Sequence, residues 1–180
     1  MRSGLHLATA LLLALSATAA QAERADSEQP VSIEANRGSI DNRKNVHVFE
    51  GNVVLSQGSL AIRCDKLVVT QDADGFQRGV ATGGDGGRAS IRQRREARSD
   101  FVEGRADRIE YDARSKKATL IGRAEVTSGG DEVRGEYIEY DGLSETYLVT
   151  NSKSAKGSEN GGRVRAIIQP RESQPAEQKP

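Results

Sequence analysis

Along most of the chain, apolar side chains return at every second residue. Val31 and Ile33 are apolar while Ser32 and Glu34 are polar, the period of a strand with one face buried. Beyond Ala22 helical spacing is hard to find. Glycine, aspartate and asparagine instead interrupt the chain at Gly38, Asp41-Asn42, Gly51, Gly58 and Asp72–Gly75. That rhythm predicts many short strands joined by turns.

The pattern is written twice. Phe49–Gly58 returns as Leu120–Gly129, with Gly51 matching Gly122 and Gly58 matching Gly129. The same offset holds without a gap from Ala35–Thr70 to Ala106–Asp141. Seven of the 36 aligned positions are identical, at Ala35, Arg37, Asp41, Arg43, Gly51, Gly58 and Arg63, and the class of side chain agrees far more often. Between Asn45 and Leu55 too many residues are apolar for one copy to show which face is buried. The second copy resolves it: Ala118, Leu120, Gly122, Ala124 and Val126 are apolar or small, alternating with Lys117, Thr119, Arg123, Glu125 and Thr127. Carried back to the first copy, that parity puts His47, Phe49, Gly51, Val53 and Leu55 inside and Val46, Val48, Glu50, Asn52 and Val54 outside. A slip of one residue would invert the whole set.

A shorter pattern recurs inside each copy: a small residue, an acid or amide, a basic residue or Tyr, then apolar-x-apolar. It begins at Cys64-Asp65, Ala106-Asp107 and Gly135-Glu136, with a weaker copy at Ala35-Asn36. The step from Asn36 to Asp65 equals that from Asp107 to Glu136, and with the longer step between Asp65 and Asp107 it makes up the offset of the long repeat. Each copy is expected to be a strand of a stacked pair, entered through a corner. Such repetition predicts an elongated structure whose layers touch mainly their neighbours.

Composition narrows the picture. Residues 1–22 have the form of a cleaved export signal: Arg2, an apolar run from Leu5 to Leu15, and the small-x-small site Ala20-Gln21-Ala22. The run is shorter than the ~20 residues a membrane span needs. The chain from Glu23 onward suffices for one domain, and its basic and acidic side chains nearly balance once Arg2 is set aside, so no electrostatic surface for nucleic acid is indicated. With one cysteine no internal disulfide is possible, and Cys64, whose repeat partner is Gly135, is read as a small buried residue. There is no Trp and there are only seven aromatic residues, which suits a thin structure with a narrow apolar interior. Residues 23–29 and 171–180 are expected to be disordered, Arg92–Asp100 to be an exposed loop, and Arg163–Pro170 to hold a last short strand.

Catalysis finds little material. His6 lies in the signal, which leaves His47 and Cys64, both placed inside, and two such residues cannot close a zinc site. Asp65, Asp107 and Glu136 could form a carboxylate set, but each sits at the same corner of a repeated layer, where an acid accepting turn N–H bonds is sufficient explanation. What remains is two rows of Val, Ile, Leu, Phe and Tyr. They are readable as a sandwich core or as the walls of a groove for a long apolar ligand.

Gln29–Ala35, Phe49–Gly58 and Ala61–Thr70, followed by Val102–Ala106, Leu120–Ala124 and Arg163–Pro170, resemble the OstA-like family of periplasmic lipopolysaccharide-transport proteins, the LptA type. The resemblance runs from Gln29 to Pro170 and departs at Gly83–Asp100, which is richer in Gly and Arg. It implies an all-β fold, an elongated, twisted and slightly open jellyroll of about sixteen antiparallel strands. It also implies a non-enzymatic bridge, without cofactor or metal, that shields lipopolysaccharide acyl chains between the inner and outer membranes. The partners implied are lipopolysaccharide, LptC at the inner membrane, the LptD N-terminal domain at the outer membrane, and further copies of itself joined head to tail. On the alternation above, Val31, Ile33, Phe49, Val53, Leu55, Ile91, Tyr111, Leu120, Val126, Ile138 and Tyr140 are then expected to line the lipid groove. Two rival readings are an LptC-type sibling, which would keep its membrane anchor uncleaved, and a secreted β-solenoid enzyme acting on polysaccharide through exposed carboxylates.

Overall fold

The computed structural model describes residues 29–95, 100–152 and 162–170. The expected signal, the expected disorder of residues 23–28 and the tail from Arg171 lie outside that range. Gln29 is described, and its carbonyl accepts a bond from Gln57 Nε2 at 3.0 Å.

Among the described residues twelve strands form one antiparallel sheet: β1 (Ser32–Glu34), β2 (Arg37–Asp41), β3 (Val46–Gln57), β4 (Leu60–Asp72), β5 (Gly75–Thr82), β6 (Ala89–Arg94), β7 (Phe101–Ala106), β8 (Arg108–Asp112), β9 (Lys117–Ser128), β10 (Asp131–Asp141), β11 (Thr146–Thr150) and β12 (Arg165–Ile167). Four of them are long, and each changes partner halfway. β3 pairs with β2 through Val46–Glu50 but with β1 through Val54–Ser56. β4 pairs with β5 through Lys66–Asp72 but with β6 through Ala61–Arg63. β9 divides in the same way between β8 and β7, and β10 between β11 and β12. The sheet is therefore folded over into two leaves. Each long strand runs through both, which gives sixteen strand segments, eight per leaf, the number the resemblance implied.

The fold line is built from bulges, the usual device by which a strand switches sheets. Between Glu50 and Val53, β3 advances three residues while β4 advances two, so Gly51-Asn52 stand opposite Asp65 alone. Between Ala124 and Ile121, β9 does the same, and Gly122-Arg123 stand opposite Glu136. Both pairs are left-handed, with φ of 80° and 48° in the first and 77° and 46° in the second. Each leading position must be glycine. A Cβ on Gly51 would lie 2.7 Å from Asn36 Nδ2, and one on Gly122 would lie 2.5 Å from Asp107 Oδ2. Asn36 and Asp107 hold these corners, donating their N–H to the carbonyls of Gly51 and Gly122 at 2.9 Å. Opposite each bulge the partner strand changes phase: Ile62 and Cys64 are buried before Asp65-Lys66, and Leu67 and Val69 after them. The short recurring pattern of the sequence is this corner.

The hairpins of one leaf share a second device. Asp41, Asp112 and Asp141 each open a turn by accepting backbone N–H bonds through Oδ1, from Arg43 and Lys44, from Ser115, and from Leu143 and Ser144. The turns end on Asn45, Lys116 and Glu145, with φ of 53°, 52° and 52°. An aspartate side chain that mimics a turn in this way stabilises it locally.

Between the leaves lies the core: Val53, Leu55, Leu60, Ile62, Leu67, Val69, Ile109, Leu120, Val126 and Ile138 are all buried. The alternation is as expected in β3, where His47, Val53 and Leu55 are buried and Val46, Val48, Glu50 and Val54 only half-buried, with Asn52 exposed.

Opposite the corners the leaves meet along a rim of hairpin turns, and here the expectation of an exposed loop over Arg92–Asp100 needs correction for Arg92–Arg95, while residues 96–99 lie outside the described range. Arg92–Arg94 belong to β6, paired with β7 through Glu103–Phe101, because Arg92 stacks 3.8 Å over the Phe101 ring and meets Glu103 at 3.0 Å. Arg95 is largely buried. Its guanidinium reaches Glu145, in the β10–β11 turn of the other leaf, at 2.7 Å and Asp100 at 3.0 Å. Those bonds hold it charged, with its pKa raised against the opposing effect of burial. One ion pair between turns 50 residues apart clasps the rim.

Glu145→Gln removes the charge across the clasp while sparing Asp100. It is expected to lower stability to urea by about 1–2 kcal/mol, and an unchanged midpoint would show that the rim is held otherwise. A second expectation concerns acid. The Asp112 carboxyl is held below its ordinary value chiefly by the Ser115 N–H, and that of Asp141 by the Ser144 N–H. Depressed folded pKa values contribute stability that is present above the unfolded value, about 3.9, and lost as pH falls through the folded one. Urea midpoints measured from pH 7 to pH 2 should attribute part of the loss below about pH 4 to these groups. Asp112→Asn, which can keep the turn bonds without titrating, should flatten that slope.

Candidate functional site

The eleven residues expected to line a groove all face the space between the leaves. Val53, Leu55, Ile91, Tyr111, Leu120, Val126, Ile138 and Tyr140 belong to the buried cluster, and Val31, Ile33 and Phe49 pack against it while staying partly exposed. The exposed three cluster towards the β1–β2 end. There Ile40, on the inner face of β2 opposite His47, is 65% exposed, so this end of the apolar interior opens to solvent.

Within the second half of the chain the two leaves leave a cavity of about 20 Å³ between Ile91, Val102, Gly104, Tyr111, Ala118, Leu120, Val126 and Tyr140. Gly104 forms part of its wall, and a Cβ there would press on Leu120 Cδ2 at 2.8 Å and Ile91 Cγ2 at 3.0 Å, so those side chains would have to shift. Val102, Gly104 and Ala118 are wall residues absent from the expected set. Parity places Ala118 inside, and the signal for the other two lies in the alternation of Val102, Gly104 and Ala106, which the surrounding Arg and Glu residues mask. Gln93 and Lys116 complete the cavity lining. Burial pushes the Tyr111 and Tyr140 hydroxyls up to about 12, so both stay neutral. Tyr140 stacks on Tyr147 at 4.9 Å.

The polar groups do not converge on a reaction centre. Asp65 Oδ2 accepts the Gly84 N–H at 2.9 Å, and Asp107 Oδ1 accepts a 2.7 Å bond from Arg123 Nε. Asp65 accepts a backbone N–H as expected, whereas the Asp107 carboxyl takes its bond from a guanidinium, and Glu136, which stands opposite the second bulge, makes no such bond among the described residues. Cys64 is buried, and desolvation raises its thiol to about 11, which removes the thiolate a nucleophile or metal ligand requires. Among the described residues no group of three or more His, Cys, Asp and Glu could hold a metal ion. His47 is buried on the inner wall, with Nε2 2.8 Å from Gln71 Oε1 and Nδ1 without a partner. What this interior can do is remove apolar surface from water.

A family model described as LptA/(LptD N-terminal domain) LPS transport protein matches residues 32–146. The chain is 32% identical over 170 residues to the lipopolysaccharide export system protein LptA of Escherichia coli (strain K12), covering 94% of this chain and 87% of that one. It is 29% identical to LptA of Haemophilus influenzae, covering 97% and 95%. The crystal structure of LptH, described as the LptA homologous periplasmic component of the lipopolysaccharide transport device of Pseudomonas aeruginosa, superimposes with a TM-score of 0.72 at 25% identity, over 81% of this chain and 99% of that one. The family model spans the sheet from β1 to the start of β11, and the relatives agree in sequence and in fold: the chain belongs to the LptA/LptD N-terminal domain family of lipopolysaccharide-transport proteins.

Proposed function

We propose that the chain carries lipopolysaccharide across the periplasm by holding its acyl chains between the two leaves. The carrying observation is the continuous apolar inner face, which runs from the uncovered β1–β2 end through Phe49, Val53 and Leu55 to the cavity beneath Tyr111 and Tyr140. The family is one of transport proteins. Burying an acyl chain is worth about 0.8 kcal/mol per CH₂, so a twelve-carbon chain exposed to water forfeits roughly 10 kcal/mol. A groove that never exposes the chain lets the lipid advance without meeting that cost.

A cavity of about 20 Å³ holds little more than one water molecule. Acyl chains therefore enter as the leaves part at the rim, with the bulged corners as the hinge line. The interior serves as core when empty and as lipid path when occupied.

The ends of the sheet supply the bridge. Among the described residues β1 and β2 pair only with β3, and β11 and β12 only with β10, so each end presents strand edges left unpaired by those residues. Exposed edges are an aggregation hazard unless something is added to them. Strand addition there joins the chain to the LptC domain at the inner membrane, to the LptD N-terminal domain at the outer membrane, and to further copies head to tail. A contact of that kind does not close on itself and makes a filament.

A photo-crosslinking side chain at Phe49, which faces inward, is expected to capture lipopolysaccharide in cells, whereas one at Val48, on the outer face of the same strand, is not. Equal capture at both positions, in variants whose thermal stability matches the parent, would contradict the facing and with it the groove.

A further inference from the structure

Among the described residues the wall between the leaves carries, besides tyrosine hydroxyls and the Cys64 thiol, one buried polar side chain, His47, and its hydrogen bonding is incomplete. The ring lies on β3 between Ile40 of β2 and Val69 of β4, with inward-facing Phe49 two residues along the strand. Nε2 is 2.8 Å from Gln71 Oε1. An amide oxygen only accepts, so Nε2 carries the proton and Nδ1 is left with a lone pair. That atom has no partner and no contact with solvent. Buried polar atoms in folded proteins are almost always paired, and an exception needs a reason.

The fold does not supply the reason. The repeat places Ala118 at the equivalent position of the second copy, also inward-facing and buried, so the architecture works there without an imidazole. Packing alone would favour an apolar side chain at position 47 as well. Location does suggest a reason: Ile40, beside His47 on the same face, is the exposed apolar residue at the open end of the groove.

We propose that His47 is a point of polar recognition inside the groove, with Nδ1 accepting a hydrogen bond from a hydroxyl carried on an acyl chain. The inference rests on the groove reading above and adds to it a preference for hydroxylated over plain chains. A phosphate, an ester or a carboxylate offers only acceptors to a bare lone pair. An amide N–H would bring a carbonyl, for which no fully buried, unpaired side-chain donor stands among the described residues. A hydroxyl donates its single proton and adds least to the polar burden of a dry site. The Gln71 contact fixes the tautomer, so the acceptor is ready before the ligand arrives.

The test is competition between tetradecanoic and 3-hydroxytetradecanoic acid for the protein loaded with a fluorescent fatty acid, with ¹⁵N spectra of the imidazole recorded alongside. Tetradecanamide serves as the N–H control. The hydroxylated acid is expected to compete about tenfold better than the plain one, equivalent to about 1.4 kcal/mol. It should also move the Nδ1 resonance, which the plain acid leaves in place. His47→Val should abolish the preference, and its spectrum identifies the His47 signal in a chain with two histidines. Equal competition by the two acids against the parent protein overturns the proposal and leaves the groove standing, and neither that ratio nor the spectrum depends on the variant folding. A preference for the amide equal to that for the hydroxyl overturns the choice of ligand. If neither acid competes, lipopolysaccharide is titrated instead: binding with an unmoved Nδ1 signal overturns the role of His47, binding that moves it upholds the role, and no binding at all overturns the groove.

Discussion

Everything in this molecule depends on two bulges. A twelve-stranded antiparallel sheet left open would present one greasy face to water along its whole length. At Gly51-Asn52 and Gly122-Arg123 the chain places consecutive residues in the left-handed region, and the sheet turns back on itself there. Asn52 and Arg123 adopt that conformation without being glycine, at a cost of order 1 kcal/mol each. The Arg123 guanidinium offsets part of it through its bonds to Asp107. Because the four long strands cross the fold line, the leaves are joined covalently at the corners and only by side chains at the rim. A groove with a fixed spine and a separable mouth follows directly from that asymmetry.

Much of this architecture is legible in the residues alone. The facing of β3 came from the cleaner alternation of β9, and the acid or amide at each corner came from a short recurring pattern. Both are local signals repeated often enough to be heard. The clasp is different. Arg95 sits in a run of arginines that looks like a solvated loop, and its partner Glu145 closes a turn 50 residues away, a pairing no local pattern encodes. The halfway change of partners in β3, β4, β9 and β10 is equally hidden, because alternation shows which face is buried and not which strand lies alongside. His47 falls between the two cases. Parity places it inside, but an unpaired Nδ1 is visible only when the hydrogen bonds around it are drawn.

The inner face must satisfy two demands. It has to hold an empty protein together, which needs close packing, and on the proposed function it has to admit acyl chains, which needs space. Full burial of Leu55, Leu67, Ile109, Leu120 and Ile138 shows that packing prevails in the empty state. The rim chemistry suits the second demand, since an ion pair and a few turn bonds separate at far smaller cost than interdigitated Leu and Ile side chains. Lipid that enters restores the apolar packing given up as the leaves part, so the exchange is close to balanced and can run in either direction. Directed transport then requires a push from outside this chain.

The measurement closest to the centre of this account is the distance between the leaves with and without lipid. Spin labels placed on the outer faces at exposed Arg94, in β6, and exposed Leu148, in β11, straddle the rim without entering the groove. Pulsed electron resonance on the purified protein should show one short distance when it is empty and a longer one, by a few Å, when lipopolysaccharide is bound. An unchanged distance in a sample that demonstrably holds lipopolysaccharide would mean that the lipid lies outside the leaves, and the groove would have to be given up.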